Sequence, residues 1–140
     1  MIQRIQSLWL LAASALAFIS LQVSFFSGNI MVNNAKEFKP FTGMSSVLLM
    51  ILVVVVALGS LVAIFLYKDR KTQMRVTAGA LVVSIINLIL YYKNTGDYIP
   101  TDWKFDLTAF ISLAIPFILF LATRGIYKDH KLVKSIDRLR

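Results

Sequence analysis

The chain has 140 residues, 58% of them hydrophobic, a net charge of +8 and a mean hydropathy of +0.73. Only 16% of residues are charged, against about 25% in an ordinary soluble domain. So short a chain has no room to bury that much apolar surface in one core, which excludes a water-soluble globular domain. With no cysteine, disulfides, thiolate nucleophiles, iron–sulfur clusters and cysteine zinc sites are excluded too.

Four apolar segments, residues 8–26, 44–67, 76–92 and 107–123, contain no Asp, Glu, Lys, Arg or His. They run for 19, 24, 17 and 17 residues, and a helix of about 17 to 25 residues crosses a hydrocarbon core of about 30 Å. A backbone in lipid must satisfy its own hydrogen bonds, so helix is the expected form for each. The first segment has the outline of a secretory signal, with Arg4 ahead of it and Ala13-Ser14-Ala15 within it. Its apolar character continues to Phe26, longer than a signal's hydrophobic region, so a retained helix is expected.

The segments are joined by residues 27–43, 68–75 and 93–106 and followed by a tail, 124–140. Arg4, Lys68, Arg70, Lys71, Arg75, Arg124, Lys128, Lys131, Lys134, Arg138 and Arg140 fall on one side of the implied membrane. Lys36, Lys39, Lys93 and Lys104 fall on the other. The positive-inside rule then predicts both termini and the 68–75 loop in the cytoplasm of a bacterial inner membrane. Basic residues beside apolar spans are explained by the membrane, so no nucleic-acid partner is expected. Pro40 and Gly43 punctuate the first outer loop, and Asp106 is a candidate N-cap for the fourth helix.

No ionisable side chain lies at membrane depth, which removes the usual carriers of proton relay, ion coupling and intramembrane proteolysis. The most polar residue there is Asn87, expected to make an interhelical polar contact. Pro116 deprives the carbonyl of Ser112 of its helical donor and predicts a kink. In the tail, Ile126, Leu132, Val133, Ile136 and Leu139 share one side of a helix and Lys131, Lys134 and Arg138 the other. Asp129 interrupts the apolar side. His130, the one histidine, sits among charged neighbours without a partner for catalysis or metal binding.

These readings predict an all-α fold: an integral membrane four-helix bundle of two helical hairpins over residues 1–123, with a C-terminal cytoplasmic amphipathic helix, 124–140, lying along the inner surface. Neither cofactor nor enzymatic activity is expected. The candidate interaction surface is Lys68, Arg70, Lys71, Arg75, Lys131, Lys134 and Arg138, facing anionic headgroups or a membrane protein complex.

Three stretches carry a resemblance: Met1-Ile2-Gln3-Arg4-Ile5-Gln6, then Ile64-Phe65-Leu66-Tyr67-Lys68-Asp69-Arg70-Lys71-Thr72-Gln73-Met74-Arg75, and Lys128-Asp129-His130-Lys131-Leu132-Val133-Lys134-Ser135-Ile136-Asp137-Arg138-Leu139-Arg140. With them the chain resembles a Bacteroidetes family of small four-helix membrane proteins catalogued as a domain of unknown function. The resemblance implies a bacterial inner-membrane setting and assigns no site residue. The function expected is that of an accessory or assembly protein, binding another membrane component through its spans and basic surface. The alternative is a small transporter or homo-oligomeric pore.

Overall fold

The computed structural model describes residues 2–32 and 35–137. Helices α1 (Ile2–Ser20), α2 (Val47–Phe65), α3 (Arg70–Lys93) and α4 (Ala109–Asp137) pack in a ring, in which α1 and α3 each touch both α2 and α4. Val47–Lys68, Arg70–Asp97 and Ala109–Val133 are long and apolar enough to cross a membrane, by length and composition; Ile5–Ser20 is apolar but shorter. The helices meet through small side chains. Ala13, Ala17, Ala57, Ala63, Ala80 and Ala122 are all buried there, between Leu10, Val53, Val56 and Leu119, because small residues let helix backbones approach closely.

The fold is not all-α. A three-stranded antiparallel sheet, order β2-β1-β3, is built from β1 (Ser24–Val32), β2 (Ala35–Thr42) and β3 (Lys104–Phe105). The first helix therefore ends at Ser20 instead of running to residue 26, and the expected loops 27–43 and 93–106 supply the sheet. Phe25 and Phe26, read as the end of that span, instead face a protein interior. Register slips between the Ser24↔Thr42 and Phe26↔Phe41 pairs. This bulge lets two consecutive side chains, Phe25 and Phe26, both point inward, which a regular strand forbids.

That interior is aromatic. Phe26 stacks on Phe41 with centroids 4.8 Å apart and meets Tyr98 edge-on at 4.9 Å, while Phe25 stacks on Tyr91 of α3 at 4.7 Å. The chain segment before β3 lies so close to β1 that a Cβ on Gly28 would sit 2.7 Å from Cβ and 2.8 Å from Cα of Trp103; glycine is required by that approach. Asn29 accepts from the Ile99 amide at 3.1 Å. Lys36 pairs with Asp102 at 2.9 Å, and Asn29 donates to the same carboxylate oxygen at 3.3 Å. Hydrogen bonding from Lys36, then Asn29, holds the Asp102 carboxyl below its usual range. Pro40 lies opposite Ser27 on the outer strand β2, where Lys36, Glu37 and Lys39 are exposed. Charge and proline suit an edge strand, since they discourage further pairing.

The tail is also not a separate helix laid on a surface. Helix α4 runs unbroken for 29 residues, through Pro116 and Gly125, to Asp137.

Candidate functional site

One end of the helical ring gathers the N-terminus of α1, the turn between α2 and α3, and the C-terminal part of α4. Asp69 starts α3 by accepting hydrogen bonds from the amides of Lys71 (3.2 Å) and Thr72 (3.3 Å) and from the Thr72 hydroxyl (2.6 Å). The Thr72 hydroxyl and amide, ahead of the Lys71 amide and the Arg75 charge, hold the Asp69 carboxyl below its usual range. Arg70 then reaches across to α4, where Nη1 lies 3.4 Å from Oδ2 of Asp129 and donates to its carbonyl at 3.3 Å. This half-buried tie explains why an aspartate interrupts the apolar side of the tail. It also commits Arg70 to structure.

Of the other residues expected on the interaction surface, Lys68, Lys71, Arg75 and Lys131 are exposed. The side chain of Lys134 and the whole of Arg138 lie outside the described residues. Ile126 is buried in the helical core, whereas Leu132 is 52% and Val133 39% exposed. Ile136 and Leu139 have no described side chains.

Asn87 sits inward on α3, 8% exposed, and its Oδ1 has no hydrogen-bond partner. Beside it, with Ser84, Ser112, Ala17 and Val56 among the lining, is a cavity of about 10 Å³, room for about one water. Among the described residues, polar contacts between helices include Ser14 Oγ donating to the Ala57 carbonyl at 3.0 Å and Gln73 Nε2 donating to the Ala63 carbonyl at 2.9 Å. Gln73 is easily missed in sequence because it follows a charged loop. Its position four residues before Thr77 and seven before Ala80, on one helical face, is the signal that places it inward.

At the opposite end, the C-terminal part of α3, the N-terminal part of α4 and the sheet line a cleft of about 450 Å³ whose lining is nearly all apolar. Asp106 is its one charged residue. Expected as a helix cap, Asp106 serves instead as a joint between sheet and helix. Its Oδ1 accepts from Ser27 Oγ at 2.8 Å, its amide donates to the Phe25 carbonyl at 3.2 Å, and its carbonyl accepts from the Ala109 amide at 2.9 Å. Two residues on, the Thr108 hydroxyl donates to the Ser24 carbonyl. Among the described residues, no group of three His, Asp or Glu side chains is placed to hold a metal.

A ring of apolar helices, capped by a sheet at one end and basic at the other, is the class this chain defines. The chain belongs to the family described as a domain of unknown function, DUF4293, which matches residues 2–139. The similarity of the opening, central and closing stretches is thus part of one that spans the chain. No curated protein and no solved structure matches it.

Proposed function

We propose that this is an integral membrane protein of a bacterial inner membrane, crossing four times with both ends cytoplasmic, and that it serves as an accessory or assembly protein. Its basic end would engage another membrane component, and the sheet would cap it on the outer side. Supporting this reading, charged residues are absent from 5–20, 47–67, 76–92 and 107–123. Helix α1, at 19 residues, measures about 28 Å and packs between α2 and α4. Exposed Trp9, Tyr67 and Tyr127 lie toward the basic end and Tyr92 toward the other, as interfacial anchors do.

The observation that carries the functional reading is the Arg70–Asp129 tie. It fastens the α2–α3 turn to α4 and so holds Lys68, Lys71, Arg75 and Lys131 at one end of the molecule. Replacing those four by Gln keeps side-chain length and removes the charge. In native nanodiscs the variant should insert and accumulate like the parent protein but lose a stoichiometric membrane partner that the parent retains. Equal retention by both would reject the basic end as the interaction surface. Reporter fusions at Lys71 and at residue 97 should give opposite signals; the same signal from both would reject the crossing pattern.

A further inference from the structure

We propose that the cleft between the outer ends of α3 and α4 binds a membrane lipid with an ammonium headgroup, its acyl chain in the apolar part and its ammonium on Asp106. The inference rests on the membrane reading above. At about 450 Å³ the cleft falls within the range of ligand sites, about 300 to 1,000 Å³, which are mostly apolar with a few polar groups that fix orientation. Its floor is Phe25 and Ala109, 6% and 5% exposed, so it is shaped by residues already packed.

What enters is indicated by two features. Along α4, the cleft residues Phe110 and Leu113 continue into Phe117 and Phe120, all four exposed and spaced by three or four positions. This apolar row faces outward on a helix apolar enough to cross a membrane, so the cleft is continuous with the surface that acyl chains cover. The second feature is charge. The described residues contain two ion pairs, Lys36–Asp102 and Arg70–Asp129, and Asp106 belongs to neither. Ser27 holds one of its oxygens in place, so that a half-buried carboxylate without an ion-pair partner stands on the lining of an otherwise apolar recess, where it attracts a cation. The rings of Tyr92, Phe105 and Phe110 line the same recess and favour a cation through their faces.

A headgroup whose only charge is its phosphate finds no such reception. The first amides of α4 are already used: Ala109 donates to the Asp106 carbonyl, Phe110 to that of Leu107 and Ile111 to that of Thr108. No basic side chain lines the cleft. The occupant is therefore a phosphatidylethanolamine-type lipid of the outer leaflet rather than an acidic one.

The full chain, reconstituted in vesicles holding equal amounts of phosphatidylethanolamine, its N-acylated form and phosphatidylglycerol, is purified and the co-purifying lipid quantified by mass spectrometry. The parent protein should retain the free-amine lipid about tenfold over either of the others, the scale of one charge-assisted contact. Asp106→Asn, which still accepts from Ser27, should bring the three to parity, and Asp106→Glu should restore the preference. Equal retention of amine and N-acylated lipid by the parent overturns the proposal without recourse to any variant, as does a preference that survives Asp106→Asn. Alkaline carbonate washing separates the two readings. Release of the protein from vesicles refutes the membrane reading and the site with it; firm insertion without headgroup preference refutes the site alone.

Discussion

The helical ring and the sheet cap solve the same problem, holding a short chain together, with opposite residues. Between the helices the buried positions are alanines and slender aliphatics, Ala13, Ala17, Ala57 and Ala63 among them. In the cap they are Phe25, Phe26, Phe41, Tyr91 and Tyr98. On the membrane reading proposed above, lipid offers helices no gain for burying one apolar group against another, so close backbone approach and dispersion must supply the association. A small sheet at a water interface has the hydrophobic effect available and few residues with which to use it, so each must bury a large area. The cap should thus suffer most from losing volume and the ring from gaining it.

The largest effect expected is from Phe26→Ala. Phe26 is fully buried and touches Phe41, Tyr98 and Trp103, and its truncation should cost about 3–5 kcal/mol, the usual range for a buried phenylalanine. Denaturant titration in mild detergent, followed by near-ultraviolet circular dichroism of the cap tyrosines and tryptophan, measures it. A loss below about 1 kcal/mol would show that the aromatic cluster does not hold the sheet.

Next in size is Ala57→Leu. Ala57 has no exposed surface, and its carbonyl receives the Ser14 hydroxyl from α1. Extra volume there should separate α1 from α2 at about 1–3 kcal/mol, read as a lower midpoint in the same titration followed by far-ultraviolet signal. The complementary change, Ala57→Gly, removes one methyl and should matter less. If the enlarged residue is tolerated while the reduced one is not, the contrast between the two regions is wrong.

The smallest effect is a pH dependence confined to the cap. Burial, then the neighbouring Asp97 charge, pushes the Tyr98 phenol above its ordinary value. A group with a raised folded pKa contributes stability that is complete below its unfolded pKa, about 10, and is lost as pH rises through the folded one. The cap should therefore weaken above about pH 10, and Tyr98→Phe should flatten that response. An unchanged alkaline response in Tyr98→Phe would assign it to another group.

The same contrast explains what was legible in the sequence. Helices in lipid leave long uncharged stretches, and α2, α3 and α4 overlap the segments 44–67, 76–92 and 107–123. The cap hid inside one of those signals, because Phe25 and Phe26 follow the hydrophobic run of α1 with no charged residue between. Hydropathy does not distinguish a side chain turned to lipid from one turned to a neighbouring ring. The signal that would find the hairpin is Ser24–Val32, rich in aromatic and β-forming residues, and the Asn33-Asn34 pair that follows it, a dipeptide of turn formers. Of the basic end, the exposed lysines were legible as charges beside a span. The Arg70–Asp129 tie was not, since it joins residues 59 positions apart.

Strand β3 adds a condition on biogenesis. Its partners are Phe26 and Ser27, paired with Phe105 and Lys104, so the sheet draws on polypeptide from either side of both α2 and α3. During synthesis the hairpin of β1 and β2 can form as soon as α1 and α2 are in place. On the proposed topology its third strand does not exist for it until α3 has also been made and residues 94–108 delivered to the same compartment. In the four-crossing arrangement proposed above, completion of the sheet is thus a record that every earlier helix has been threaded in the right direction: a chain with one crossing omitted or inverted would leave β3 on the wrong side, with Phe26 lacking part of its cover and open to the surveillance that removes unassembled membrane proteins.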